Sequence, residues 1–325
     1  MKSAPSMGTT YKYRPYEGVE ALRACGFIPR GSLGETCLEA ERVLGCAPTG
    51  RRRTLAQLAC AAAMLQRVRG DDGQPLMLAK GGLVLQALLG EHARPTFDLD
   101  GIVRCEFDEF VGRAREALRE PWGCVSATIE RARAYPGNAS PSDLFELELT
   151  LSAPGDEPVR VLCNGTVEEP RATHAPWAYP ALALDALGLP AAHALWGVSP
   201  AYCVTDKLLS LAAPRYLSEE HEREGRARPH TSAKHLVDAV WLTRMCEEGR
   251  LCGREELRRA LEELWAHDHD LRALRGLAPL PRPLRPTAQE GWGLEYLKAA
   301  ISCGLDLSVG EALAEVTSFM ERLDP

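Results

Sequence analysis

Residues 78–103 read LAKGGLVLQALLGEHARPTFDLDGIV, and the fold depends on where that stretch breaks. Residues 75–80, PLMLAK, are short and apolar and predict a strand; Gly81-Gly82 interrupts it, and residues 83–89, LVLQALL, have the continuous apolar character of a helix packed under a sheet. After Gly90 the period becomes two. Phe97 and Leu99 then point one way and Asp98 and Asp100 the other, so the two acids share a strand face.

On the N-terminal side, apolar residues recur over 55–69 densely enough for a helix, which GDDG at 70–73 stops. On the C-terminal side a helix is expected over 107–118. Strands are expected over 125–134, 144–152 and 159–167, separated by PGNASPSD and APGDEP. From Ser199 onward the pattern is helical. Ser199-Pro200 is an N-cap followed by a first-turn proline, opening a helix that ends before Pro214. Further helices are predicted over 232–246, 254–267, 293–303 and 308–323, with residues 277–286, LAPLPRPLRP, as an extended linker.

The 325 residues carry 38 Lys+Arg against 45 Asp+Glu, a net charge of −7, and 45% are hydrophobic. Such a chain forms a core, which excludes disorder as its main state, and its length suits about two domains. The acidic balance argues against broad electrostatic coating of nucleic acid and leaves only a local basic patch for that role. Its eleven cysteines include no C-x-x-C pair, so they read as reduced thiols of a cytoplasmic protein rather than a zinc ribbon or disulfide framework. The N-terminus lacks the apolar core of a secretory signal. The least charged stretch, 175–205, is broken by Pro176, Pro180, Pro190 and Pro200 and contains Asp185, so it reads as a buried connector and no membrane partner is expected.

The chemistry concentrates in Lys80-Gly81-Gly82 and Asp98-Leu99-Asp100. A glycine pair at a strand-to-helix turn lets backbone approach a ligand, and the N–H groups opening the helix cradle phosphate. Carboxylates at i and i+2 suit Mg²⁺, which takes one or two carboxylates plus phosphate oxygens. Taken singly, the pair also fits a solvated strand face and the glycines an ordinary turn. A two-ion site needs a further acid, for which Glu148 is the candidate and Glu146 the reserve, unless both simply face water on their strand. The run His267-Asp268-His269-Asp270 resembles a metal cluster, but alternate residues on a helix diverge by about 200° and cannot converge on one ion. Arg223, Arg226 and Arg228 gather in residues 221–230 as a solvated loop or an RNA contact. No G-x-S-x-G elbow, Walker loop or H-E-x-x-H helix is present.

The pattern LAKGGLVLQALLG…RPTFDLDGIV resembles the first motif of the AbiEii/AbiGii nucleotidyltransferase toxin family, a branch of the DNA polymerase beta-like nucleotidyltransferase superfamily. ELELTLS is similar to that family's later strand, which puts its third acid at Glu148 and a basic residue where Glu146 stands. AYCVTDKLLSL is similar to the helix whose lysine contacts nucleotide phosphate, here Lys207, and TSAKHLVDAVWL to a basic, Asp-rich segment that points to Asp238. The resemblance spans about residues 76–242. Two positions depart from it: Leu83 stands where the family usually has Ser or Thr, and His235 where it often has Asp.

The resemblance implies an α+β fold: a nucleotidyltransferase-like mixed sheet with flanking helices, then a mostly helical C-terminal domain. The corresponding division is an N-terminal extension over 1–54, a core over 55–170 and a helical domain over 171–325. It implies a toxin of a bacterial toxin–antitoxin or phage-defence system that transfers NMP from an NTP to an acceptor hydroxyl, with the tRNA 3′ end as acceptor and an antitoxin protein as partner. Asp98, Asp100, Lys207 and Asp238 would be catalytic. Gly81, Gly82 and Lys207 would bind nucleotide, and Asp98, Asp100 and Glu148 would hold two Mg²⁺. The alternatives are a small-molecule or protein hydroxyl as acceptor, and a degenerate relative that binds nucleotide or partner without turnover.

Overall fold

The computed structural model describes residues 21–29, 31–44, 51–135, 144–153, 155–167, 175–212, 233–274, 282–286, 288 and 292–323. The arginine loop at 221–230 lies outside them. Two helices, α1 (Leu33–Val43) and α2 (Arg51–Leu65), precede the sheet. Ser32 accepts from the Glu35 amide while Glu35 accepts from the Ser32 amide, a reciprocal cap that satisfies two otherwise unpaired N–H groups of α1. Then come β1 (Met77–Lys80), α3 (Gly81–Leu89), β2 (Leu99–Val103) and α4 (Phe107–Ala117). They are followed by β3 (Ser126–Tyr135), β4 (Leu144–Ser152) and β5 (Val159–Val167).

The stretch read from sequence as a connector contains two more strands, β6 (Trp177–Tyr179) and β7 (Leu195–Gly197). Each is three residues long, too short to show a period of two, and the prolines fall outside them rather than breaking them. Both join the sheet, whose order is β3-β4-β5-β2-β1-β7-β6. The pairs β2–β5 and β1–β7 run parallel and the other four antiparallel, so the expected mixed sheet with flanking helices is present. Five helices follow: α5 (Pro200–Ala212), α6 (Lys234–Glu247), α7 (Arg254–Leu274), α8 (Trp292–Ser302) and α9 (Val309–Leu323). The acidic and histidine residues at 267–270 therefore sit within one continuous helix, α7.

Strand β4 shows how the sheet divides its faces. Phe145, Leu147, Leu149 and Leu151 are buried, and the alternating Glu146, Glu148 and Thr150 are partly exposed. Phe107 of α4 stacks on Phe145 with ring centroids 5.2 Å apart, so helices cover the apolar face. Burying each of these large side chains contributes roughly 1.5–3 kcal/mol. The other face is polar, with Arg160 and Leu162 of β5 exposed on it.

Two glycines, Gly101 on β2 and Gly165 on β5, are register partners where these parallel strands meet. A Cβ on Gly165 would lie 2.7 Å from both the Gly101 carbonyl carbon and Phe145 Cε1, so neither backbone nor ring has room to accept it. Gly165→Ala is expected to destabilise the chain by about 2–4 kcal/mol, the range of overpacking against unyielding neighbours. Urea unfolding measures this, and an unchanged midpoint would show that β2 and β5 separate freely.

Candidate active site

The first residue of α3, Gly81, takes φ +62°, a left-handed conformation that L side chains resist, directly after extended Lys80. This sharp turn presses the backbone against β2: a Cβ on Gly81 would stand 3.0 Å from Asp100 Cγ, and one on Gly82 would stand 2.6 Å from Thr96 Cβ. The start of α3 therefore lies against the acidic strand. Leu83, where a hydroxyl was expected, is fully buried in the apolar core. The hydroxyl at the turn belongs to Thr96, whose Oγ1 lies 3.2 Å from Asp98 Oδ1.

Asp98 is exposed just before β2 and Asp100 is partly buried within it. Phe97, expected to follow Leu99 into the core, is also exposed, because the strand begins only at Leu99. Burial and the neighbouring Asp98 charge push the Asp100 carboxyl above its ordinary value, while Lys80 and Lys207 pull it down. Two like charges side by side, with cations around them, fit a hard divalent ion that takes its remaining ligands from water and phosphate.

Three cations surround the pair. Lys80 is the register partner of Asp100 and donates to Thr166 Oγ1 at 3.2 Å. Lys207, on α5, is 6% exposed and stands 3.7 Å from Asp206. Arg94, on the loop before β2, is gripped by Asp238 of α6. Its Nε lies 3.0 Å from Oδ1 and its Nη2 3.1 Å from Oδ2. Burial works to lower the Arg94 guanidinium, but the Asp238 charge and hydrogen bonds outweigh it and hold the group more firmly protonated, helped by Asp98 and Asp100.

The structure thus gathers Gly81, Gly82, Asp98, Asp100 and Lys207, and gives Glu148 and Asp238 partners of their own. Glu148 does not stand beside the aspartates: β5 lies between β4 and β2, a separation of roughly 9–10 Å at two strand spacings. Glu148 instead meets Arg160 of β5 at 3.3 Å, and the reserve Glu146 is no nearer in strand order. Among the described residues no three His, Cys, Asp or Glu side chains are grouped to hold a metal. The residue in register beside Asp100 on the adjacent strand is Asn164. Asp238, expected to be catalytic, accepts from Arg94 with both oxygens and is 2% exposed.

Arg94, Asn164 and Thr96 went unremarked in the sequence. Arg94 stands four residues before Asp98, a position that could have marked it, whereas Asn164 becomes visible only through the register of β2 with β5. His235 precedes Asp238 by three residues on α6, and its Nδ1 is buried without a hydrogen-bond partner among the described residues. Burial, then the Lys207 charge, hold its pKa well below 6.5; Arg94 and Lys234 act the same way and Asp206 opposes them.

The unfolded chain therefore binds more protons than the native one just below pH 6.5. The stability His235 lends is complete above that pH and lost as pH falls through the window beneath it. His235→Gln should melt with a smaller loss than wild type between about pH 7.5 and 5.5, and equal losses would remove His235 as the cause.

The profile of the family described as nucleotidyl transferase AbiEii toxin, type IV toxin–antitoxin system, matches residues 63–309. No curated protein matches the chain. Among solved structures, the MenT4 nucleotidyltransferase toxin of Mycobacterium tuberculosis H37Rv is similar at 20% identity over 89% of this chain and 99% of that one, with a TM-score of 0.47.

Proposed function

Because the chain belongs to the AbiEii nucleotidyl transferase toxin family of type IV toxin–antitoxin systems, we propose that it transfers NMP from an NTP to an acceptor hydroxyl at the Asp98–Asp100 site. The acceptor in this reading is the tRNA 3′ end, the setting is the cytoplasm, and an antitoxin protein restrains the activity. Among the described residues no helix is long and apolar enough to cross a membrane. The observation that carries the reading is electrostatic. A carboxylate pair lies against a glycine turn, with Lys80, Lys207 and Arg94 acting on it or drawn to it.

That arrangement sorts the charges of a metal-bound triphosphate. Asp98 and Asp100 would hold Mg²⁺, which supplies acceptor-hydroxyl activation and charge neutralisation at the phosphate under attack. The first amides of α3 point their N–H groups and the positive end of the helix dipole at phosphate oxygens. Gly81 allows this approach because any side chain there would strike Asp100. Lys207, buried and so weakly screened, balances charge on the departing pyrophosphate.

The degenerate reading loses its main support in Leu83. That side chain packs inward, so replacing a hydroxyl there changes the core and leaves Thr96 at the turn.

Labelled NTPs incubated with the protein, Mg²⁺ and either total RNA, cell protein or small metabolites test the reading. Label is expected in the tRNA fraction and lost on chelation by EDTA. Asp98→Ala and Asp100→Ala should each slow transfer about a hundred- to thousandfold, and Lys207→Ala about a hundredfold, the scale of removing a preorganised electrostatic group. Glu148→Gln, held outside the pair by Arg160, should transfer close to wild type. Undiminished transfer by either aspartate variant would end this reading, and label confined to protein or metabolites would move it to another acceptor.

A further inference from the structure

The grip of Asp238 on Arg94 is more specific than a stabilising ion pair requires. Asp238 is 2% exposed and the Arg94 side chain 15%. A pair this buried gives back most of its attraction in desolvation, so it is weak as a source of stability alone. Its geometry has a clearer use. Nε and Nη2 are both committed to the carboxylate, and Nε lies 3.0 and 3.2 Å from the two oxygens.

A guanidinium is planar and rigid, so holding two of its nitrogens fixes where the third points. The third, Nη1, takes no hydrogen bond among the described residues. The backbone is fixed as well, since buried Gln86 of α3 donates from Nε2 to the Arg94 carbonyl. Arg94 stands two residues before Thr96, whose Oγ1 lies 3.2 Å from Asp98 Oδ1, so its loop runs directly to the carboxylate pair, and the charges of Asp98 and Asp100 also favour the guanidinium.

Building on the nucleotidyl-transfer reading, we infer that Arg94 presents Nη1 to an oxygen of the NTP triphosphate, and that Asp238 is a positioning residue that aims Arg94 and touches neither nucleotide nor metal. Arginine suits the task because it stays charged and its fork fits phosphate oxygens. It also explains why a buried acid sits on α6 near the site with both oxygens turned to Arg94: its work is done through Arg94.

Three variants separate aiming from clasping. R94D/D238R keeps the charge pair and the net charge but moves the guanidinium stem onto α6. R94Q/D238N removes both charges, leaves neither buried charge unpaired, and carries the same test should the exchanged pair not fold. D238N alone keeps Arg94 and loosens its aim. Thermal melts confirm folding, and calorimetry with Mg²⁺ and inorganic triphosphate measures the anion site apart from turnover.

All three are expected to bind triphosphate about ten- to hundredfold more weakly than wild type, the scale of one charged hydrogen bond. In turnover the loss should fall mainly on KM for NTP with D238N. A folded exchanged or neutral pair that binds triphosphate as wild type does would reduce Arg94–Asp238 to a structural clasp, and wild type that binds no triphosphate would overturn the inference outright. Triphosphate binding that depends on Arg94, without label reaching any acceptor, would instead sink the transfer reading and leave this one standing.

Discussion

The backbone of the Lys80–Gly82 turn lies against the Asp100 carboxylate with no space for a side chain between them, and the rest of the site follows from that contact. Only a residue without Cβ tolerates both the left-handed φ of Gly81 and the approach to Asp100. Because the turn is that tight, α3 begins at Gly81, directly against Asp100. Because α3 is almost wholly apolar and buried, the turn cannot move without disturbing the core.

Around this contact the charges are graded. Asp98 is open to solvent, Asp100 is partly buried, and each nearby cation has a polar partner of its own: Lys80 with Thr166, Lys207 with Asp206, Arg94 with Asp238. The partners come from three different elements, β5, α5 and α6. A ligand carrying negative charge and a metal thus meets groups already oriented, so little reorganisation is left for the moment of binding. The polar face of β4, by contrast, resolves its own charge: Glu148 is answered by Arg160 and has no part in the grading.

The two halves of the chain are therefore coupled through the site. The sheet and the loop leading into β2 supply Lys80, Asp98, Asp100 and Asn164, and the helical half supplies Lys207 through α5 and Asp238 through α6. The short strands β6 and β7 reinforce that coupling, because β7 pairs with β1 at Ala79 and Gly197, immediately before α5 begins.

Much of this was legible in residue order alone. The strand–turn–helix–strand run, strands β3 to β5 and the start of each late helix to within two residues follow from local periods and breakers, because those elements are long enough to repeat. The acids Asp98 and Asp100 and the glycines Gly81 and Gly82 were visible because the chemistry that needs them lies within about twenty consecutive residues. Tertiary structure alone decided the rest. Neither the three-residue strands β6 and β7 nor the partnership of Arg94 with Asp238, 144 residues apart, has a local signal. The separation of Glu148 from β2 was hidden for the same reason: alternation along β4 gives the face on which an acid stands, whereas the order of strands across the sheet sets how far it is from β2, and that order is settled by hydrogen bonds between segments distant in sequence.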